Sequence, residues 1–170
     1  VPAGVVLAGG YSIKVTTGGG DTSTLPFTIL AQAPSVTAVT PNSGSNLFVQ
    51  TITINGYGFF GGTSGSDVSE VKLDDTAGTV LTILGASITN TTISGAIVKA
   101  GIKTGDYNVK VTVSAGTNTV SLQKYTVTTA VPVVSTLSPS SGSNASTTTV
   151  TITGSGFYGG TSINDVSTIF

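Results

Sequence analysis

The 170 residues predict an all-β chain of tandem β-sandwich units, and three observations carry that prediction. Residues 34–72 are written a second time at 132–170, displaced by 98 positions. Apolar residues come in short alternating runs separated by Gly, Pro, Asn and Ser, and no segment holds a helical period. Thr and Val dominate those runs, as a half-buried pleated surface favours.

The repeat is detailed enough to set boundaries. Pro34, Pro41, Gly44, Ser45 and Asn46 return as Pro132, Pro139, Gly142, Ser143 and Asn144. Gly56, Gly58 and Phe59 return as Gly154, Gly156 and Phe157, and residues 61–64 return as 159–162. The end of the unit also appears early, since residues 9–15 resemble 105–111. The chain therefore divides into the C-terminal strands of a partial unit (1–31), one complete unit (32–130) and the N-terminal strands of another partial unit (131–170). A unit of that size can bury a core of its own, unlike solenoid modules of roughly 20–50 residues, which fold only against their neighbours.

Within the complete unit, Ser35–Thr40 is the first strand, ended by a Pro41-Asn42-Ser43-Gly44 turn. Residues 49–55 alternate, with Ile52 and Ile54 on one face and Thr51 and Thr53 on the other. Asn55-Gly56-Tyr57-Gly58 breaks that strand, and a Gly/Ser-rich loop follows to about Ser66. Further strands are expected at 68–73, 80–84 and within 88–98. Strands 107–113 and 119–127 should form a hairpin about Ser114-Ala115-Gly116-Thr117. About seven strands with turns every 8–12 residues is the pattern of a sandwich of immunoglobulin type. Tyr107, two residues before the inward series Val109, Val111 and Val113, stands where such sandwiches place a tyrosine whose hydroxyl caps nearby backbone. Tyr11 holds the matching place in the first partial unit.

Three motifs in order carry a family resemblance. Pro34-x-Val-x-x-Val-x-Pro-x-Ser-Gly44 is followed by Thr51-Ile-x-Ile-x-Gly-x-Gly-Phe59 and then by Gly105-Asp-Tyr-x-Val-x-Val111. Together they resemble the IPT/TIG domain, the immunoglobulin-like module of plexin-type receptors, Rel-type transcription factors, bacterial surface proteins and glycosidase accessory regions. The two partial units match its end and its beginning, although Gly10 stands where the complete unit has Asp106. The resemblance implies a spacer or interaction module without shared catalytic residues, because fold alone does not set function.

Composition narrows the function. Six Lys, no Arg and seven acidic residues leave a net charge of −1, with nothing to neutralise phosphates, so nucleic acid is not an expected partner. No run approaches the ~18 apolar residues of a membrane span, so membrane insertion is not expected. With no His and no Cys, Ser–His and Cys–His nucleophiles, thiolate metal sites and disulfides are impossible. No catalytic set and no cofactor are expected. Few charges with abundant Thr and Ser suit an exported prokaryotic surface protein.

The remaining candidates are few. Asp74-Asp75 is the nearest thing to paired carboxylates, and a turn explains it better. Glu70 alternates with Val71 and should face solvent. Asp67, recurring as Asp165 after the Gly-rich loop, is a calcium candidate, weighed against a turn-forming Asp bonded to its own backbone. Lys14 and Lys110 raise the thought of a Lys–Asn or Lys–Asp crosslink, but alternation with inward Val or Ile sends both to solvent. Asn90-Thr91-Thr92 and Asn144-Ala145-Ser146 fit the glycosylation pattern. Phe59, echoed as Phe157, should be core, which leaves Tyr57, Phe60 and Tyr158 as the aromatics that face a ligand such as a surface glycan.

The leading expectation is a structural one: a segment of an extracellular tandem-repeat protein forming a stalk, adhesin shaft, sheath or filament, associating with neighbouring repeats of its own kind. The alternative is a carbohydrate-binding or accessory module beside a secreted enzyme. Neither partial unit can cover its apolar faces alone. A window cut from a longer array explains this better than strand exchange between chains, because a composite of head and tail would lack the counterpart of residues 73–97.

Overall fold

The computed structural model describes residues 7–74, 78–83, 85–157, 166 and 169. Among them there is no helix, and hence none long and apolar enough to cross a membrane. The chain opens with β1 (Gly9–Ile13), β2 (Thr16–Thr17), β3 (Gly20–Asp21) and β4 (Leu25–Ile29). β1 pairs antiparallel with β4, setting Tyr11 opposite Phe27, and β2 pairs with β3.

The complete sandwich follows as β5 (Ser35–Thr40), β6 (Ser43–Ser45), β7 (Gln50–Tyr57), β8 (Glu70–Leu73), β9 (Ser87–Ile88), β10 (Thr92–Val98), β11 (Gly105–Tyr107), β12 (Val109–Val113), β13 (Gly116–Thr117) and β14 (Tyr125–Thr128). One layer is the antiparallel sheet β5-β7-β10-β9. The other comes in two pieces, β11-β14-β6 and β13-β12-β8, because the strand that begins as β11 changes partners after Asn108. Val36, Val39, Ile52, Ile54 and Ile93 from the first layer share one core with Val71, Leu73, Val109, Val111, Tyr125 and Val127 from the second. The period-2 alternation is what puts them there: Ile52 and Ile54 are buried, while Thr51 is exposed and Thr53 only half-buried.

β15 (Val133–Ser138) and β16 (Thr151–Ser155) repeat β5 and β7 down to the register. Ser35 lies opposite Tyr57 and Val133 opposite Ser155, and the ladder shifts between Val36 and Ala38 as it does between Val134 and Thr136. Peptides 40–41 and 138–139 are both cis. A Cβ on Gly56 would run into the Ser35 carbonyl and the Phe59 ring, and one on Gly154 into the Val133 carbonyl and the Phe157 ring. Only glycine permits that approach, which explains why the residue recurs. The apolar faces of the partial units are open: Phe27 is 42% exposed, whereas its counterpart Tyr125 is 1% exposed.

Four local expectations need correction. β7 runs on through Gly56 to Tyr57 instead of breaking at Asn55, because β5 keeps pairing with it, Val36 opposite Gly56 and Ser35 opposite Tyr57. Ser43 and Gly44, expected in a turn, belong to β6, which pairs parallel with β14. Residues 80–84 form no strand among those described; Val80 and Thr82 make only isolated bridges, to Lys72 and Ile97. The hairpin of 107–113 with 119–127 exists only where β11 meets β14, and its turn tightens to Ser114 and Ala115 because Gly116 and Thr117 pair back onto β12. Between those points side chains replace the backbone ladder. Val111 N–H donates to Asn118 Oδ1 (2.6 Å), and Val109 N–H donates to Ser121 Oγ (3.1 Å).

The tyrosine reading holds in both copies. Tyr107 donates its hydroxyl to the Lys103 carbonyl (2.7 Å), and Tyr11 donates to the Leu7 carbonyl (2.8 Å). Tyr107→Phe keeps the ring and loses the bond, so it is expected to cost about 1 kcal/mol, read as a lower urea midpoint at unchanged m-value.

Candidate functional site

The segment after β7 carries Phe60 and Asp67 and meets Asn90. Gly58, Gly61 and Gly62 all take positive φ, which lets the chain wind into consecutive tight turns. Gly61 N–H donates to the Gly58 carbonyl (3.0 Å) and Thr63 N–H to the Phe60 carbonyl (2.8 Å). Phe59 turns fully into the core, as expected, and Phe60 stays at the half-buried surface. Phe60 N–H donates to Asn90 Oδ1 (3.1 Å) and Phe59 N–H to the Asn90 carbonyl (3.2 Å). Asn90, placed between β9 and β10, thus serves as a strut for this loop. Nothing in the glycosylation motif signals that role.

Asp67 closes the loop from its other end. Its Oδ2 accepts the Ser114 hydroxyl (2.5 Å) and the Ser114 N–H (2.8 Å), tying the loop to the β12–β13 turn. The bond is to a residue 47 positions away and not to its own backbone. The Ser114 hydroxyl, then its amide, hold the carboxyl below the ordinary value of 3.8. A lowered folded value means the tie is at full strength above the unfolded value and is lost as pH falls through the folded one. Carbon-detected NMR should therefore find Asp67 titrating below an ordinary Asp, with Ser114→Ala moving it back up. An unchanged titration in that variant would count against the tie.

The other candidates lie apart from this loop. Lys110 is less exposed than alternation suggests, with its side chain 15% accessible. It crosses to the Thr119 carbonyl and sits 3.7 Å from Asp74, whose carboxylate also accepts from Asn108 Nδ2 (3.5 Å). Lys14 pairs with Asp21 at 2.6 Å on the surface. Glu70 is half-buried beside Lys72, at 3.1 Å. Asn144 is exposed in a turn where Ala145 N–H donates to Ser143 Oγ (3.1 Å). Asp75, Tyr158 and Asp165 lie outside the described residues. Among the described residues no three His, Cys, Asp or Glu side chains gather into a metal-sized group.

A cleft of about 510 Å³ opens where the loop faces the end of the first partial unit. Tyr57 and Phe60 line it from one side, Phe27 and Ile29 from the other, with Asn90 and Thr91 at the loop. Tyr57 is 61% exposed. Chemically this is an aromatic stacking surface beside a hydrogen-bonded loop, and among the described residues that line it there is no acid–base pair.

Two layers around one core, a tyrosine corner and a recurring register define an immunoglobulin-like domain used in tandem. Residues 34–128 and 132–170 match the IPT/TIG domain, and the chain belongs to that family of non-catalytic modules. No curated protein matches it in sequence. Three solved structures are similar in part. A structural-genomics protein of unknown function from Bacteroides thetaiotaomicron VPI-5482 shares 24% identity over 62% of this chain and 24% of its own, with a TM-score of 0.45. SGBP-B from a complex xyloglucan utilization locus in Bacteroides uniformis shares 18% over 69% of this chain and 29% of its own, TM-score 0.41. The gamma-CGTase from alkalophilic Bacillus clarkii shares 20% over 74% of this chain and 20% of its own, TM-score 0.39. The chain thus spans less than a third of the length of each.

Proposed function

We propose that the chain is a stretch of a tandem-repeat scaffold in an exported surface protein, extending a stalk, shaft or sheath and contacting neighbouring repeats of its own kind. The observation that carries this reading is the strict recurrence of β5 and β7 as β15 and β16, bulge and linker included. Successive units are joined by only five residues (30–34) and four residues (129–132), each connection ending in proline, which stiffens it. Low charge and the missing His and Cys fit a scaffold and leave little for chemistry. Negative-stain micrographs of the full-length source protein should show extended strings of beads; compact isolated globules would sink the proposal.

A second reading has one observation in its favour, the exposed Tyr57 beside Phe60 in an open cleft. Sugars stack on such aromatic faces, which would make the chain a glycan-binding accessory module. Oligosaccharide should then quench tyrosine fluorescence, and Phe60→Ala should abolish the effect; no quenching by any glycan in a broad panel would end this reading.

A further inference from the structure

We propose that the tyrosine corner of one unit is also the connector to the next, fixing the angle of each joint. The inference rests on the scaffold reading above and names the surface that such a scaffold would use. The Leu7–Ala8 peptide is held on both sides. Its carbonyl accepts the Tyr11 hydroxyl at 2.8 Å, and its N–H donates to the Gly62 carbonyl at 2.8 Å. One rigid peptide group therefore links the β1–β4 sheet of the first unit to the Gly-rich loop of the second. Hydrogen bonds in such a chain polarise one another.

The loop is a firm seat for this contact. Asn90 holds Phe60, and Asp67 holds Ser114, so its two ends are tied to separate parts of its own sandwich. Gly62 is the determinant of fit. A Cβ there would stand 2.7 Å from Ala8 Cβ and 3.2 Å from Ala31 Cβ, closer than side chains approach, and its φ of +86° already suits glycine. Gly58 closes on the linker, 3.5 Å from Pro34 Cα for an added Cβ, and Gly156 does the same at 3.0 Å from Pro132 Cα. The linker proline lies against the same glycine in both repeats, in ordinary contact at Gly58 and more tightly at Gly156.

The connector recurs in sequence. Tyr107 fixes the Lys103 carbonyl, as Tyr11 fixes that of Leu7. The N–H of that peptide belongs to Thr104, and the glycine in register with Gly62 is Gly160. The sequence thus places a tyrosine-fixed peptide in the second unit and a glycine at the matching position of the third.

The chain has no cysteine, so spin labels on Ser23→Cys and Thr119→Cys, both exposed sites, report the distance between the first sheet and the complete sandwich. Pulsed electron paramagnetic resonance should give a narrow distribution in the otherwise unaltered chain. Ala8→Pro deletes the donor, and Gly62→Val fills the seat; each should widen the distribution at least twofold. Tyr11→Phe should widen it by less. Ala8 lies outside the core of the complete sandwich, so the melting of that sandwich serves as a control for intact folding in the Ala8→Pro chain. A distribution already broad without these changes, or one that neither Ala8→Pro nor Gly62→Val alters, overturns the connector. Those results would leave bead strings in micrographs unaffected, whereas compact globules would remove the scaffold itself.

Discussion

Phe59→Ala is expected to lower the stability of the complete sandwich by about 3–5 kcal/mol, the range for deleting a buried ring. Phe59 is fully buried and its ring reaches Gly56 in β7, so the void would open between the two layers. The backbone there has little freedom to collapse inward. Phe59 N–H is tied to the Asn90 carbonyl, and Gly56 N–H to that of Thr91. Urea unfolding should show a large drop in midpoint, and a loss under 1 kcal/mol would mean that the ring is not the pillar of this end of the core. For a domain whose stability is about 5 kcal/mol, the low end of the ordinary range, the change is enough to populate the unfolded form.

Asn118→Ala should rank second, at about 2–4 kcal/mol, because it orphans buried backbone groups instead of opening a void. Asn118 is 5% exposed, and its amide does the work of a missing strand. Oδ1 accepts from Val111 N–H at 2.6 Å, while Nδ2 donates to the carbonyls of Val109 (2.9 Å) and Val120 (3.1 Å). Leucine at this position would keep the volume and lose all three bonds. Asn118→Leu should therefore be no better than alanine by more than its added apolar burial. A leucine variant as stable as the native chain would show that water reaches this edge of β12. Amide hydrogen exchange at Val111 gives a local check, with faster exchange expected in both variants.

Residues such as Asn118 mark where the sequence stops being legible. Ile52, Ile54, Val109 and Val111 announce themselves by alternation, and Tyr107 by its place before them, since those signals are local. Asn118, Ser121 and Gln123 carry no such signal. Asn118 and Ser121 reach back to β12 with side chains where a strand would use backbone. Gln123 Oε1 accepts from Val39 N–H (2.8 Å) across 84 positions, a partner fixed only when the sandwich closes. Residues 80–84 are rich enough in apolar and β-branched residues to suggest a strand, yet Val80 and Thr82 make only isolated bridges, because propensity yields to the partners available. The candidate site divides in the same way. Phe60 and Tyr57 are visible as aromatics left over from the core pattern, while the tie from Asp67 to Ser114 and the strut from Asn90 to Phe60 depend on loops that meet only in three dimensions.

The parallel pairing of β6 with β14 has a mechanical consequence. The chain enters the sandwich near β5 and β6 and leaves it through β14, so tension along an array pulls these strands toward opposite ends. Strands that run parallel and are drawn this way slide along each other. The contacts of Ser43, Gly44 and Ser45 with Thr126, Val127 and Thr128 then bear the load together instead of opening one after another. The parallel bridge from Val36 to Ser121 lies in the same load path. Single-molecule pulling in which the sandwich opens as easily as an unzipping hairpin would contradict this account. The complete unit is thereby arranged as a clasp that resists force applied between its two ends by shear.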